Sequence, residues 1–192
     1  MSGRNVLRLI TINRPCARES ENAMAKNTTL FVSSITGNTA TIAAGVRETL
    51  EELGWTVSES RPCVPPEDDV VIVCFWCRKS SLDPKSLKFI DRCVGQRILL
   101  FGTMGSFPLG AYGEQVRNNV TAKVSERNEC LGVFLCQGKV KEGRIDERRN
   151  LPESDPHHLD DWGVKRLTEG LGHPNATDVL YAQAFLRDYL PE

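Results

Sequence analysis

Short, strongly apolar runs alternate with stretches whose apolar residues fall three and four positions apart, and the alternation continues from Thr28 to Gly138. A continuous or period-two apolar run reads as a strand, and a 3.6-residue apolar period reads as one face of a helix. Repeated strand–helix alternation is closed by a parallel sheet with helices on both faces, joined by right-handed crossovers. The strand candidates are residues 28–33 (TTLFVS), 55–60, 69–76 (DVVIVCFW), 97–101 (RILLF) and 130–136 (CLGVFLC). The third is almost wholly apolar, as expected of a strand covered on both faces. Between them, Ile42, Ala43, Val46, Leu50 and Leu53 mark a helix over 39–53 that stops at Gly54. Asp83 followed by Pro84 opens a second helix running to Arg92, and Val116, Val120 and Val124 mark a third. The expected fold class is α/β: a doubly wound five-stranded parallel sheet in the order 2-1-3-4-5, with a C-terminal helical extension.

The length of 192 residues suits one domain with some chain to spare. Residues 1–26 are expected to be a leader, and 27–192 a single domain in which 138–192 form an extended connection and C-terminal helices. The mildly apolar stretch 6–12 is interrupted by Arg8 and is too short for a secretory signal or a membrane span. Beyond Gly138 the chain turns polar; one helix is expected near Asp155 and Pro156. A last helix is expected from Asn175 to Tyr189, with Val179, Leu180 and Phe185 on its apolar face. A formal net charge of −1 provides no global field for nucleic acid or an anionic membrane. Seven cysteines, an odd number partly inside apolar runs, fit a reducing compartment, so a cytoplasmic location is expected.

The chemistry is concentrated in Ser34, Ile35, Thr36, Gly37, Asn38 and Thr39, which join the first strand directly to the first helix. A helix N-terminus presents unpaired N–H groups and the positive end of the dipole, so it holds phosphate well. The hydroxyls of Ser34, Thr36 and Thr39 are candidate extra donors, and Gly37 lets the backbone curl without a Cβ in the way. The loop contains no lysine or arginine, and neither G-x-G-x-x-G nor G-x-x-x-x-G-K occurs there.

Here the chain resembles the flavodoxin family, whose phosphate loop is a T/S-x-T-G-x-T turn; residues 34–39 (SITGNT) match it at every position. The resemblance implies bound FMN and two further loops, after strands three and four, that clasp the flavin ring. In this chain those are 75–82 and 102–113. The first offers Trp76 for stacking, with Cys77 and Lys79 beside it. The second, glycine-rich, offers Gly102, Thr103, Met104, Gly105, Tyr112 and Gly113. The implied function is electron transfer to a partner reductase, with no catalytic acid or base, no metal, no nucleic acid and no membrane. The extended tail resembles that of small flavodoxin-like proteins associated with bilirubin reductase, which implies a reductase of linear tetrapyrroles as partner.

Two departures and two rivals accompany that reading. Arg78 and Lys79 make the first ring loop basic, which predicts a less negative second-electron potential than in acidic flavodoxins. The loop also has no glycine between Cys77 and Ser81, whereas flavodoxins commonly carry one there. The first rival is an FMN-dependent NAD(P)H:quinone or related reductase on the same fold. The second is a thioredoxin-like dithiol enzyme using Cys74 and Cys77. His157 and His158 are adjacent, do not share a helix face, and are not expected to bind metal.

Overall fold

The computed structural model describes residues 26–61, 64–141 and 143–190. Residues 1–25 of the expected leader lie outside the described residues, as do Cys16 and Cys63. The elements are β1 (Asn27–Val32), α1 (Asn38–Glu52), β2 (Thr56–Glu59), β3 (Val70–Trp76), α2 (Pro84–Ile90) and β4 (Arg97–Met104). They continue with α3 (Ala111–Ser125), β5 (Glu129–Gln137), α4 (Arg144–Arg149), α5 (Asp161–Glu169) and α6 (Ala176–Tyr189). The strands form one parallel sheet in the order β2-β1-β3-β4-β5, as the strand–helix alternation predicts. β1 pairs with both β2 and β3, so the loops leaving β1 and β3 diverge to opposite faces and open a crevice at the strand C-termini.

Alternation along the central strands supplies a separate core to each face. Phe31, Val71, Val73, Phe75, Ile98 and Leu100 meet Phe89 of α2 and Val116, Val120 and Val124 of α3. The residues between them, Leu30, Ile72, Cys74, Leu99 and Phe101, meet Ile42, Val46 and Leu50 of α1 and Ala182 and Leu186 of α6. Each large side chain removed from water contributes about 1.5–3 kcal/mol. Gly102 in β4 is a packing necessity, because a Cβ there would lie 2.5 Å from the Phe75 ring and 2.6 Å from Leu135.

Four expectations are corrected. β4 runs on to Met104 instead of ending at Phe101, since Gly102 and Thr103 stay in register with Phe75 and Trp76 of β3. Ladder pairing on both sides outweighs the weak strand propensity of that stretch. Consequently 102–113 is not one loop: residues 105–110 form the connection, and Tyr112 and Gly113 already belong to α3. Asp155 and Pro156 open no helix. Asp155 instead accepts from His157 N (2.7 Å) in a turn, and α5 starts at Asp161, capped by Asp160 accepting from Gly163 N (2.7 Å). Finally, Leu180 is 63% exposed. The buried stripe of α6 is Ala182 and Leu186 with Val179 and Phe185 beside it, and this face lies on α1 and β5; a 3.6-residue period carries Leu180 off it. The start of α6 is as expected: Asn175 and Asp178 form a capping box.

Candidate functional site

The chain leaves β1 through Ser33, whose hydroxyl donates to buried Asp83 (2.8 Å), and then turns sharply into α1. Gly37 sits at φ 89° as the residue preceding α1 and has no side chain to cap the helix. Ser34 Oγ accepts from Ala40 N (3.3 Å), and Thr41 N donates to Gly37 O (3.0 Å). Among the described residues, the N–H groups of Thr36, Gly37, Asn38 and Thr39 have no such partner. These are the orphan donors of a helix start and of the turn before it.

The turn is held from beneath. Thr39 is buried, and its hydroxyl shares a 2.8 Å hydrogen bond with that of Thr103 in β4. Asn38 Nδ2 donates to Lys139 O (2.8 Å), pinning the segment after β5 against the first turn of α1. That approach needs Gly138, where a Cβ would lie 2.7 Å from Asn38 Nδ2.

A cavity of about 480 Å³ opens above this turn, lined by Ile35, Thr36, Asn38, Thr39, Trp76, Cys77, Thr103, Met104 and Gly105. Its outer wall carries Lys139, Lys141 and Arg144, and no carboxylate lines it among the described residues. A second cavity of about 720 Å³ adjoins it across Cys77, Met104, Gly105 and Val140 and extends to Tyr112 and the α4–α5 segment.

Beyond Trp76 the backbone forms a tight turn closed by Arg78 N to Ser81 O (2.9 Å) and Ser81 N to Arg78 O (3.0 Å). Lys79 and Ser80 occupy its centre at φ 49° and 59°. This is the left-handed region that glycine adopts most easily, and two ordinary residues adopt it here.

Residues 29–187 match the family described as Flavodoxin domain. The chain belongs to the flavodoxin family. The flavodoxin-like domain-containing protein BilS of Clostridioides difficile (strain CD3) is 27% identical over 168 residues, covering 84% of this chain and 94% of its own. BilS of Clostridium symbiosum (strain WAL-14163) is 26% identical over 134 residues, covering 65% of this chain and 69% of its own. Among solved structures, the NAD(P)H:quinone oxidoreductase from Methanothermobacter marburgensis superposes with a TM-score of 0.52 at 11% identity. That match covers 85% of this chain and 98% of its own, a likeness of fold alone.

Family membership implies flavin binding, and the residues present fit a flavin nucleotide. Four unpartnered N–H groups suit a phosphate, and a flat indole borders the adjoining cavity. Of the flavodoxin-like residues expected from sequence, Ile35, Thr36, Asn38, Thr39, Trp76, Cys77, Thr103, Met104 and Gly105 line the first cavity, and Tyr112 lines the second. Ser34 and Gly37 shape the turn without lining it. Gly102 is buried in the sheet, and Gly113 packs on the Pro108 carbonyl. Lys79 projects from the turn, outside both cavities. The Thr39 hydroxyl, expected to face the phosphate, is instead engaged with Thr103. Sequence reasoning missed Lys139, Lys141 and Arg144, which lie about a hundred positions from the turn. No local pattern marked them.

Cys74, in β3, packs into the core on one face of the sheet, and Cys77, one residue past the end of β3, packs against the core on the other. Cys74 is fully buried, and burial pushes its thiol far up. Burial also raises the Cys77 thiol, opposed by hydrogen bonding from the Tyr112 hydroxyl and the Ser80 and Ser81 backbone. This geometry opposes a dithiol centre. Iodoacetamide at pH 7 is expected to modify Cys77 more slowly than free cysteine and to leave Cys74 intact until the protein unfolds. Rapid alkylation of Cys74, read by peptide mass spectrometry, would reopen the dithiol reading.

Proposed function

We propose that this flavodoxin-family chain binds FMN non-covalently and carries electrons to a partner reductase. The observation that carries the reading is the set of free N–H groups from Thr36 to Thr39, opening on the cavity that Trp76, Thr103 and Met104 also line. On this reading the phosphate rests on the turn, and the ring lies toward Trp76 and the 105–110 connection. Bound FMN supplies the redox chemistry, while the chain supplies binding, orientation and potential. The five described cysteines are all free, which supports a reducing, cytoplasmic setting. Among the described residues, no helix is long and apolar enough to cross a membrane. The proposed partner class is a reductase of linear tetrapyrroles, as the resemblance to flavodoxin-like proteins associated with bilirubin reductase implies.

The test is a visible spectrum of the purified chain, repeated after adding FMN and removing the excess. One equivalent of retained FMN supports the reading; a colourless protein that retains none removes it. The second cavity favours one further reading, a stand-alone NAD(P)H:quinone or related reductase, because it provides room beside the ring. Rapid NAD(P)H oxidation by the FMN-loaded chain without a partner would establish that alternative.

The basic wall has an electrochemical consequence. Among the described residues, Lys139, Lys141 and Arg144 line the first cavity without an opposing carboxylate there, and Arg78 directly follows the lining residue Cys77 in the chain. Positive charge favours the anionic reduced flavin, so the second-electron potential is expected to be less negative than in acidic flavodoxins. The paired substitutions Lys139→Glu and Lys141→Glu are expected to lower it by on the order of 40 mV, the one-electron equivalent of about 1 kcal/mol. Redox titration with both proteins at one ionic strength reads the shift, and an unchanged potential refutes the role given to these lysines.

A further inference from the structure

The segment that leaves β5 is held from two sides at one residue. Lys139 O accepts from Asn38 Nδ2 (2.8 Å) in the first turn of α1, and Lys139 N donates to His173 O (2.7 Å), just ahead of α6. Gly138 N donates to Met104 O (2.8 Å), which ties the same short segment to the end of β4. Asn38 depends on this attachment. Among the described residues its Nδ2 has no other partner, and its Oδ1 is buried with none. The Lys139 carbonyl therefore sets how the Asn38 side chain lies on the wall of the first cavity.

His173 is fixed in turn by Asp178. A carboxylate only accepts, so His173 Nδ1 carries the proton and donates to Asp178 Oδ2 (2.6 Å). The same oxygen accepts from Asn175 N (2.7 Å), closing the capping box that starts α6. The His173 side chain is half-buried and that of Asp178 more deeply so. A hydrogen bond to a charged acceptor in such a place is stronger than one between neutral groups. α6 is itself docked on α1, with Val179 lying against Gly45. An unbroken series of bonds thus runs from the cap of α6 through His173 and Lys139 to Asn38, which precedes Lys139 by 101 positions.

We propose that His173 is a positioning residue for the turn that opens α1. Its bond to Asp178 fixes the His173 carbonyl, that carbonyl holds Lys139, and Lys139 sets Asn38 and the N–H groups beside it against the first cavity. The consequence for phosphate rests on the reading under Proposed function; the coupling between His173 and α1 does not.

The test begins on the flavin-free full chain, with backbone amide exchange read residue by residue by NMR. The Lys139 N–H reports the first link, and the Thr41 N–H, bonded to Gly37 O (3.0 Å), reports the start of α1. Val120 in α3 reports the stability of the whole. His173→Ala is expected to speed exchange at Lys139 and Thr41 at least about fivefold more than at Val120. His173→Asn, whose amide donates from near the position of Nδ1, is expected to restore most of the protection. In Asn38→Ala the link is already cut, so adding His173→Ala is expected to affect Lys139 and no longer Thr41.

A second arm compares FMN with riboflavin, which lacks the phosphate, by quenching of flavin fluorescence. His173→Ala is expected to weaken FMN at least about threefold and to leave riboflavin unchanged. Equal acceleration at all three amides, an unchanged Thr41, His173→Asn behaving as His173→Ala, or a Thr41 effect that persists undiminished in Asn38→Ala would each overturn the proposal. So would equal losses of FMN and riboflavin, or no loss of FMN. If the unsubstituted chain retains no FMN, the flavin reading fails and the exchange rates alone decide the coupling.

Discussion

Gly37→Val is expected to lower FMN affinity at least about a hundredfold while the chain remains folded. Gly37 adopts φ 89° and ψ −19°, and a Cβ built there would touch nothing within 4 Å. The cost is therefore one of backbone conformation, not of space. A β-branched residue in the left-handed region costs about 1–2 kcal/mol, and the chain relieves that cost by rotating the turn. Rotation re-aims the N–H groups of Gly37 and Asn38, which are among the orphan donors at the start of α1. Hydrogen bonds to a charged group contribute about 1.5–3 kcal/mol each, so losing the aim of two accounts for a hundredfold, or about 2.7 kcal/mol.

Quenching of FMN fluorescence on titration measures the affinity, and a thermal scan confirms the fold. Thr36→Val, at an exposed residue lining the first cavity, is expected to cost about tenfold through its hydroxyl alone. Thr39 is a poorer probe, because its hydroxyl is buried against Thr103 and its loss would disturb the packing between α1 and β4. Unchanged affinity in Gly37→Val would mean that the phosphate does not rest on this turn.

Asp83→Ala is expected to destabilise the protein by about 3 kcal/mol, without any direct contact to the flavin site. Asp83 is 1% exposed. Its Oδ1 accepts from Ser33 Oγ (2.8 Å), Lys85 N (2.9 Å) and Ser86 N (3.3 Å), and its Oδ2 accepts from Ser86 Oγ (2.6 Å). Removing the carboxylate leaves these donors unpaired in the interior, where each lost bond to a charged acceptor is costly. It also removes the N-cap of α2, ordinarily worth about 1 kcal/mol by itself. Asp83→Asn keeps an acceptor oxygen in place and is expected to cost about 1 kcal/mol. Urea unfolding of the three proteins measures the differences. A loss below about 1 kcal/mol for Asp83→Ala would show that the network is not structural. Ser33 is the last residue before the turn proposed to hold the phosphate, so the alanine variant is also expected to loosen FMN binding.

Asp83 also marks the boundary between what is local and what is not. As a helix cap it is readable from its neighbour Pro84 alone; as the anchor of Ser33, fifty positions away, it is not. The same division recurs across the molecule. Strand and helix assignments, the turn that opens α1 and the start of α6 all rest on apolar period or on cap and turn residues within a few positions. These features are encoded by the backbone preferences of the residues that display them. The end of β4 escaped such reading because pairing with β3 and β5 holds Gly102 and Thr103 extended. α4 escaped because Arg144–Arg149 (RIDERR) has no buried residue and hence no apolar stripe.

At the candidate site, the sequence determined the turn that opens α1, proposed to receive the phosphate, and the indole that lines the same cavity. Only the tertiary structure decided which face Thr39 shows, where the 105–110 connection starts, and that Lys139, Lys141 and Arg144 close over the first cavity. It likewise brought Arg148, Arg166 and Trp162 to the second. The reason is that side-chain direction and long-range proximity depend on how the helices settle on the sheet. That docking depends on contacts such as Asn38 with the Lys139 carbonyl, which no short window of the chain contains.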